Sequence, residues 1–300
     1  MKVLNFGSLN YDYTYQVSHM VRPGETLSSS DLKVRCGGKG FNQSVALARA
    51  GIAVSHAGMV GEEGDMLLTF CRNEGIDTRF VRSVPGKSGH AIIQVNPQGE
   101  NCILLYGGAN QQNTREQTEE VLAAFGPGDI LLLQNEVNRV RELMEEAWKR
   151  GMRIVLNPSP CDEKILSCPL EKTDTFLINE TEGCELSGAE EPEEILDRLL
   201  ARFPQSKLVL TLGSKGVWYG AEAERIFVPA FSVQAVDTTA AGDTFTGYYL
   251  SGVLQGLPVE ETLRRACAAS ALAVMKEGAA DSIPKKEEVE VFLRIRETAH

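Results

Sequence analysis

The sequence lacks the cysteine and histidine spacings that hold zinc or build a disulfide scaffold. Its seven cysteines, at positions 36, 71, 102, 161, 168, 184 and 267, are odd in number and contain no Cys-x-x-Cys pair. The four histidines, at 19, 56, 90 and 300, include no His-Glu-x-x-His spacing. A metal cage of these residues and a secreted disulfide framework are therefore not expected. The thiols are expected as small buried hydrophobes in a reducing compartment. No apolar run reaches the ~18 residues of a membrane helix. The first residues, Met-Lys-Val-Leu-Asn-Phe-Gly, read as a strand and turn rather than a secretion signal, so the cytoplasm is the expected location. Positive charge is scarce: 30 Lys and Arg against 41 Asp and Glu give a net charge of −11. Such a chain repels phosphate backbones and anionic lipid, which argues against nucleic-acid and membrane partners. It can bind a nucleotide only with local cation, backbone N–H groups or metal.

Two phosphate-binding fingerprints are also missing. Gly86-Lys-Ser88 ends like a G-x-x-x-x-G-K-[ST] loop, but Val81 stands where its first glycine belongs. Gly38-Lys-Gly40 begins like G-x-G-x-x-G, but Gln43 replaces the third glycine. Walker-type nucleotidases and dinucleotide-binding dehydrogenases are disfavoured on these grounds.

What is present is enough for one large core: 300 residues, 43% hydrophobic, with no repeat and no low-complexity linker. Val3 to Phe6 reads as a strand. An alanine-rich helix follows Gly40 and stops at Gly51. His90 to Val95 and Asn101 to Tyr106, around Asn96-Pro-Gln-Gly99, read as a hairpin. Together with part of 12–36, this hairpin (88–109) is expected to form a small antiparallel sheet projecting from the body.

From residue 113 onward strands and helices alternate. Strands are expected at 129–133, 153–156, 175–178, 207–212 and 232–236, and helices at 140–150, 193–203, 243–256, 259–277 and 285–297. Alternation of this kind implies a three-layer, doubly wound, mostly parallel sheet in a single domain. Ligands then bind beyond the carboxyl ends of the strands, where Asn157, Asn179 and Gly213 fall.

The sharpest motif is Asp237-Thr-Thr-Ala-Ala-Gly-Asp243-Thr-Phe. Small residues Ala240, Ala241 and Gly242 let an anion approach the unpaired N–H groups of a helix start, and Asp243 places a carboxylate beside them. Alone, that aspartate reads more readily as an N-cap. The second motif is Cys36-Gly-Gly-Lys-Gly-Phe-Asn42-Gln, a glycine-rich entry to a helix that lets backbone approach a ligand near Lys39. Alone, it is as readily a plain turn.

Together these strings resemble the two signatures of the ribokinase, or PfkB, family of carbohydrate kinases. Further matches follow in the family's order: Asn10-Tyr-Asp12, Gly107-Gly-Ala-Asn110, Asn157-Pro-Ser-Pro, Asn179-Glu-Thr-Glu182, Thr211-Leu-Gly-Ser-Lys-Gly216 and Gly278-Ala-Ala-Asp-Ser282. The resemblance covers residues 3 to about 295.

The resemblance implies ATP-dependent phosphorylation of a sugar hydroxymethyl group, with ribose as the leading acceptor. It makes Asp243 the catalytic base and gives the phosphoryl group to the amides of Ala240, Ala241, Gly242 and Asp243. It places Asn10, Asp12, Gly38, Lys39, Gly40, Asn42 and Glu136 around the sugar. Asn179, Thr211, Gly213, Ser214, Gly216, Gly242 and Cys267 fall on the nucleotide side, and Glu182 beside Mg2+. Asp237, Thr239, Ala273, Lys276, Gly278 and Ser282 fall around a K+ site. It also implies a homodimer paired through the lid. Cys267 departs from the His or Asn found there in some members. Tyr11 is bulkier than usual, and Asn135 precedes Glu136 where an apolar residue is common. Fructose, 2-keto-3-deoxygluconate, deoxyribose or a nucleoside are the rival acceptors. A non-catalytic regulator on the same fold is the rival of another class.

Overall fold

Among the described residues, 1–298 of a computed structural model, strands are sorted between two cores by the period of two along each strand. The strand Ile130–Gln134 shows it: Ile130 and Leu132 face one core while Leu131 and Leu133 face the other, all fully buried. A strand covered on both faces has no polar side to present, which is why this run is apolar throughout.

In chain order the elements are β1 (Val3–Phe6), β2 (Asn10–Gln16), β3 (Asp31–Gly37), α1 (Lys39–Arg49), β4 (Val54–Val60), α2 (Asp65–Asn73) and β5 (Asp77–Ser83). Then come β6 (Gly89–Val95), β7 (Asn101–Tyr106), α3 (Arg115–Leu122), β8 (Ile130–Gln134), α4 (Val140–Lys149), β9 (Arg153–Asn157), the single turn α5 (Glu163–Leu166) and β10 (Thr175–Asn179). The chain ends with α6 (Glu180–Ser187), α7 (Pro192–Arg202), β11 (Lys207–Thr211), β12 (Gly216–Ala221), β13 (Glu224–Pro229), α8 (Ala241–Leu254), α9 (Val259–Val274) and α10 (Lys286–Thr298).

The main sheet has nine strands among the described residues, in the order β13-β12-β11-β10-β9-β8-β1-β4-β5. It is parallel from β11 to β5, and β12 and β13 add an antiparallel edge. Residues of α1, α8, α9 and α10 build one core, and residues of α3, α4, α6 and α7 build the other. The expected three layers are present. The chain leaves β1 for β4 and β5 before returning to β8 on the other side of β1. Strand order therefore reverses between β1 and β8, and a crevice opens outside their carboxyl ends.

α8 is buried on every side from Asp243 to Gly252 because it lies between α1 and α9. Gly247 makes that possible: a Cβ there would lie 2.4 Å from the Cβ of Ala46 on α1. Close approach of these two helices brings the residues after Gly38 to the start of α8.

The lid is a separate four-stranded sheet, β3-β2-β6-β7. Its two hairpins, β2·β3 and β6·β7, are antiparallel, as expected. The seam between them, β2·β6, is parallel. The chain returns to the body through α1, β4, α2 and β5 between the hairpins, so it enters β6 from the same end as β2.

Two differences from the sequence reading concern the main sheet. Residues 232–236 do not form a strand; they are irregular backbone, tied down where the Val236 and Asp237 N–H groups both donate to the Val274 carbonyl. The β12–β13 hairpin, which the sequence reading did not place, forms the sheet's antiparallel edge instead. The β4–α2–β5 unit, which the sequence reading did not place, extends the sheet beyond β1.

Candidate active site

Asp243 lies in the first turn of α8, and its side chain faces a cleft of about 220 Å³. It is 7% exposed. Two side-chain amides from α1 hold it: Asn42 Nδ2 donates to Oδ2 at 2.9 Å and Gln43 Nε2 donates to Oδ1 at 2.9 Å. The helix is entered through Ala240 in the left-handed region, φ 59°. That conformation costs an alanine ~1–2 kcal/mol, and such strain is commonly kept where backbone must be aimed. The result exposes the amides of Gly242 and Asp243, which have no hydrogen-bond partner among the described residues. Of the four expected amides, that of Ala241 is occupied, donating to Thr238 O at 3.3 Å.

The start of α1 has the opposite character. Gly38 caps it at φ 92°, a backbone conformation suited to glycine. Lys39 N donates to Glu136 Oε2 at 3.0 Å, Gly40 N to Ser8 Oγ at 3.2 Å, and Phe41 N to Ser8 O at 2.8 Å. Ser8 Oγ itself donates to Glu136 Oε2. This helix start is therefore filled by the protein. It serves to fix Glu136 and Lys39 at the reversal point between β1 and β8.

Toward the root of the lid, several groups are left without partners. Glu136 Oε1 and both oxygens of Asp12 accept no hydrogen bond among the described residues. Asn42 Oδ1 is buried with no partner. A ligand rich in hydroxyl groups would satisfy all of them. Burial, with the nearby charges of Glu136 and Asp243, raises the Asp12 carboxyl to about 7. Burial likewise pushes Glu136 up, against the pull of Lys39 and its hydrogen bonds. Asn10 is committed elsewhere: its Oδ1 accepts from Asn110 Nδ2 at 2.6 Å, while Asn110 Oδ1 accepts from Leu9 N. The Gly-Gly-Ala-Asn string thus braces the strand that carries Asp12.

On the other side, Asn157, Asn179, Glu182 and Thr211 line the cleft together with Lys39, Ala240, Ala241, Gly242 and Asp243. Asn179 and Glu182 form a capping box at α6: Glu182 N donates to Asn179 Oδ1 at 2.9 Å and Asn179 N to Glu182 Oε2 at 3.1 Å. Burial raises the Glu182 carboxyl despite these bonds. Burial disfavours the charge on Lys39, yet Asp243, Glu136 and Glu182 outweigh it and hold the ammonium above its usual pKa.

Gly213 and Ser214 are exposed just beyond β11, whereas Gly216 starts β12, where a Cβ would lie 2.2 Å from Val228 O. Cys267 is buried in the core of α9, its thiol pushed up to about 12 by burial, and it does not line the cleft.

The loop before α8 folds on Asp237. Oδ1 accepts from Thr239 N at 2.9 Å and Thr239 Oγ1 at 2.6 Å, and Oδ2 accepts from Gly278 N at 2.9 Å. Burial raises this carboxyl, but the Thr239 and Gly278 bonds outweigh it and hold it below its usual range. Ala273 O accepts from Lys276 N, Lys276 Nζ pairs with Glu288, and Ser282 Oγ donates to Ala279 O.

The profile of the pfkB family carbohydrate kinases matches residues 1–286. The chain belongs to this family. It is 36% identical over 297 residues to a ribokinase of Haemophilus influenzae, covering 96% of each chain. It is 32% identical over 308 residues to a deoxyribokinase of Salmonella typhi, covering 99% of this chain and 100% of that one. The fold is similar to that of Arabidopsis thaliana ribokinase complexed with ribose and ATP, with a TM-score of 0.86, 29% identity and 98% of each chain covered.

Behind the Asp243 carboxylate of this carbohydrate kinase lie residues that sequence reasoning did not single out: Asn5, Gln134, Ser44 and His56, all fully buried. The available signal was a polar residue interrupting an apolar strand, as Asn5 does in Val-Leu-Asn-Phe and Gln134 does after three leucines.

Asp12 gives the site a pH dependence. Its pKa in the folded protein lies above its ordinary value, so ionising it costs the empty protein stability as pH rises from 3.8 toward about 7. The ionised form is the better acceptor of sugar hydroxyls, so sugar affinity should rise about tenfold between pH 6 and pH 8. Calorimetric titration with ribose at those pH values measures this, and Asp12→Asn should flatten the dependence. An affinity independent of pH in the parent enzyme would remove Asp12 from the sugar site.

Proposed function

We propose that this carbohydrate kinase transfers the γ-phosphoryl group of ATP to the hydroxymethyl group of ribose. The observation that carries the reading is the Asp243 carboxylate, set in the cleft beside the unpartnered amides of Gly242 and Asp243. Asp243 takes the proton of the attacking hydroxyl, and the two amides with the α8 dipole receive the charge that develops on the phosphoryl group. Asp12, Asn42 and Glu136 offer open acceptors to sugar hydroxyls, and the ribokinase relatives favour ribose among the possible acceptors.

The cleft is acidic, with Lys39 as its lining cation. No cluster of three or more metal-ligating side chains exists among the described residues. Mg2+ fits such a site, because it keeps most of its waters and needs few protein ligands. Glu182 would hold it through the oxygen that the capping box leaves free. When bound, Mg2+ neutralises phosphate charge. The Asp237 loop, whose carboxylate is ionised and shared with Thr239 and Gly278, suits a monovalent cation such as K+ ringed by nearby carbonyls.

The lid supports a homodimer. β7 is exposed along its whole length, with Ile103, Leu104, Leu105 and Tyr106 each more than half exposed. An apolar edge strand of this kind is normally covered. All seven cysteines are free, which suits a reducing compartment such as the cytoplasm. No helix among the described residues is long and apolar enough to cross a membrane.

Asp243→Asn should retain ATP binding and lose ~10²–10⁴-fold in kcat with ribose. A coupled assay across ribose, 2-deoxyribose, fructose, keto-sugar acids and nucleosides should give ribose the highest kcat/KM. Near-parental turnover in the variant removes Asp243 from the base role, and a better acceptor than ribose overturns the substrate. Turnover should be faster in K+ than in Na+; equal rates in the two salts discredit the cation loop. Sedimentation should show a dimer that Leu104→Glu dissociates, and a monomeric parent would rule out pairing through the lid.

A further inference from the structure

The side chains behind Asp243 form one continuous buried chain. Gln43 Nε2, which donates to Asp243 Oδ1, also donates to Asn157 Oδ1 at 3.1 Å. Gln43 Oε1 accepts from Gln134 Nε2 at 2.6 Å, and that same nitrogen donates to Asn5 Oδ1 at 3.1 Å. Asn5 Nδ2 donates to Gly40 O at 2.7 Å and to Ser44 Oγ at 2.8 Å. Ser44 Oγ lies 2.7 Å from His56 Nδ1, and His56 Nε2 lies 3.3 Å from Gly7 O.

The direction of every donor in this chain is forced by its ends. A backbone carbonyl only accepts. Asn157 Nδ2 faces Leu177 O at 3.0 Å, so its oxygen must face Gln43. Asn5 faces Gly40 O with its nitrogen, so its oxygen must face Gln134. Gln134 therefore presents N–H groups to Asn5 and Gln43. Gln43 answers with its oxygen and turns its own N–H groups to Asn157 and Asp243. At the far end, His56 donates through Nε2 to Gly7 O and accepts from Ser44 through Nδ1, which is the neutral imidazole; burial lowers its pKa to about 4. No member of the chain between His56 and Asp243 changes charge near neutral pH.

We infer that Gln43 is a positioning residue for the catalytic carboxylate, and that Gln134 and Asn5 set the direction of its amide. Asn42 touches Asp243 and keeps a buried oxygen without a partner, whereas Gln43 has no free polar atom and reaches the cleft through Asp243 and the Asn157 oxygen. With Gln43 in place the carboxylate is held at Oδ1 by a donor that cannot flip. Oδ1 is thereby kept as an acceptor, and the lone pairs facing the cleft remain for the sugar proton. Without it, the carboxylate retains only the Asn42 bond and can rotate. The inference rests on Asp243 acting as the base.

Gln43→Met and Gln134→Met keep side-chain volume and remove the donors. Gln43→Met should lower kcat ~10–100-fold, the range expected for a misplaced reacting group, with KM for ribose and ATP within about threefold of parental values. Gln134→Met should give a smaller loss of kcat. The double variant should lose no more than Gln43→Met alone, because the two act as one unit. In the unaltered enzyme, NMR should find the Gln43 side-chain amide protons protected from solvent exchange and shifted by Asp243→Asn; this reading survives if the methionine variants fail to fold.

A kcat within about twofold of parental in Gln43→Met overturns the inference. So do single-variant losses that multiply in the double variant, or an amide resonance indifferent to Asp243→Asn. If Asp243→Asn itself retains turnover, the base reading falls instead. An inactive Asp243→Asn with an unimpaired Gln43→Met overturns only the positioning role.

Discussion

A carboxylate taken out of water at the start of a helix must be met by donors that the protein supplies, and the Asp243 site is organised around that requirement. The two amides that meet it come from consecutive residues of α1, Asn42 and Gln43. Their reach depends on α1 lying against α8, which the missing side chain of Gly247 permits. The start of α1 depends in turn on Ser8 and Glu136 at the ends of β1 and β8. One charged group thus couples the glycine-rich loop, the reversal point of the sheet and the last helical layer.

Two helix starts face the crevice, and the protein uses them differently. The amides of α1 are occupied by Ser8 and Glu136, so no further anion is drawn there. At α8, the left-handed Ala240 frees two amides, and small residues leave space before them. In a chain of net charge −11, these free amides are the feature on which the proposed phosphoryl site rests. Lys39, placed between Asp243, Glu136 and Glu182, stays charged because three carboxylates outweigh the cost of burying it. The carboxylates around Lys39 outnumber it, and the cleft stays acidic.

The lid follows from topology as much as from sequence. Its hairpins are separated in the chain by an entire β–α–β passage through the body, so its seam is parallel while its hairpins are antiparallel. It springs from Asn10, which is clamped by Asn110 at the lid's other root. The two roots of the lid and the strand that carries Asp12 are therefore tied together, and β7 is exposed along its length.

Much of this was legible in the linear order of residues. Apolar runs, glycine stops and the small-residue turn before Asp243 depend on local rules of chain geometry, and they gave the alternating layers, the lid hairpins and a carboxylate at the start of α8. The expected strand at 232–236 was wrong because that segment's hydrogen bonds go to the end of α9, where the Val236 and Asp237 N–H groups donate to Val274 O, and not to a strand. The capping box hid inside Asn179-Glu-Thr-Glu182, a string equally suited to holding a metal.

Which amides stay free, and which way Gln43 faces, were decided by tertiary structure alone. The sequence by itself determined the strand and helix order and the chemical groups available. Direction along the buried chain from Gly7 to Asp243 came from backbone carbonyls contributed by distant segments. A hydrogen bond has a sense as well as a partner, and that sense is set only once all of its neighbours are in place.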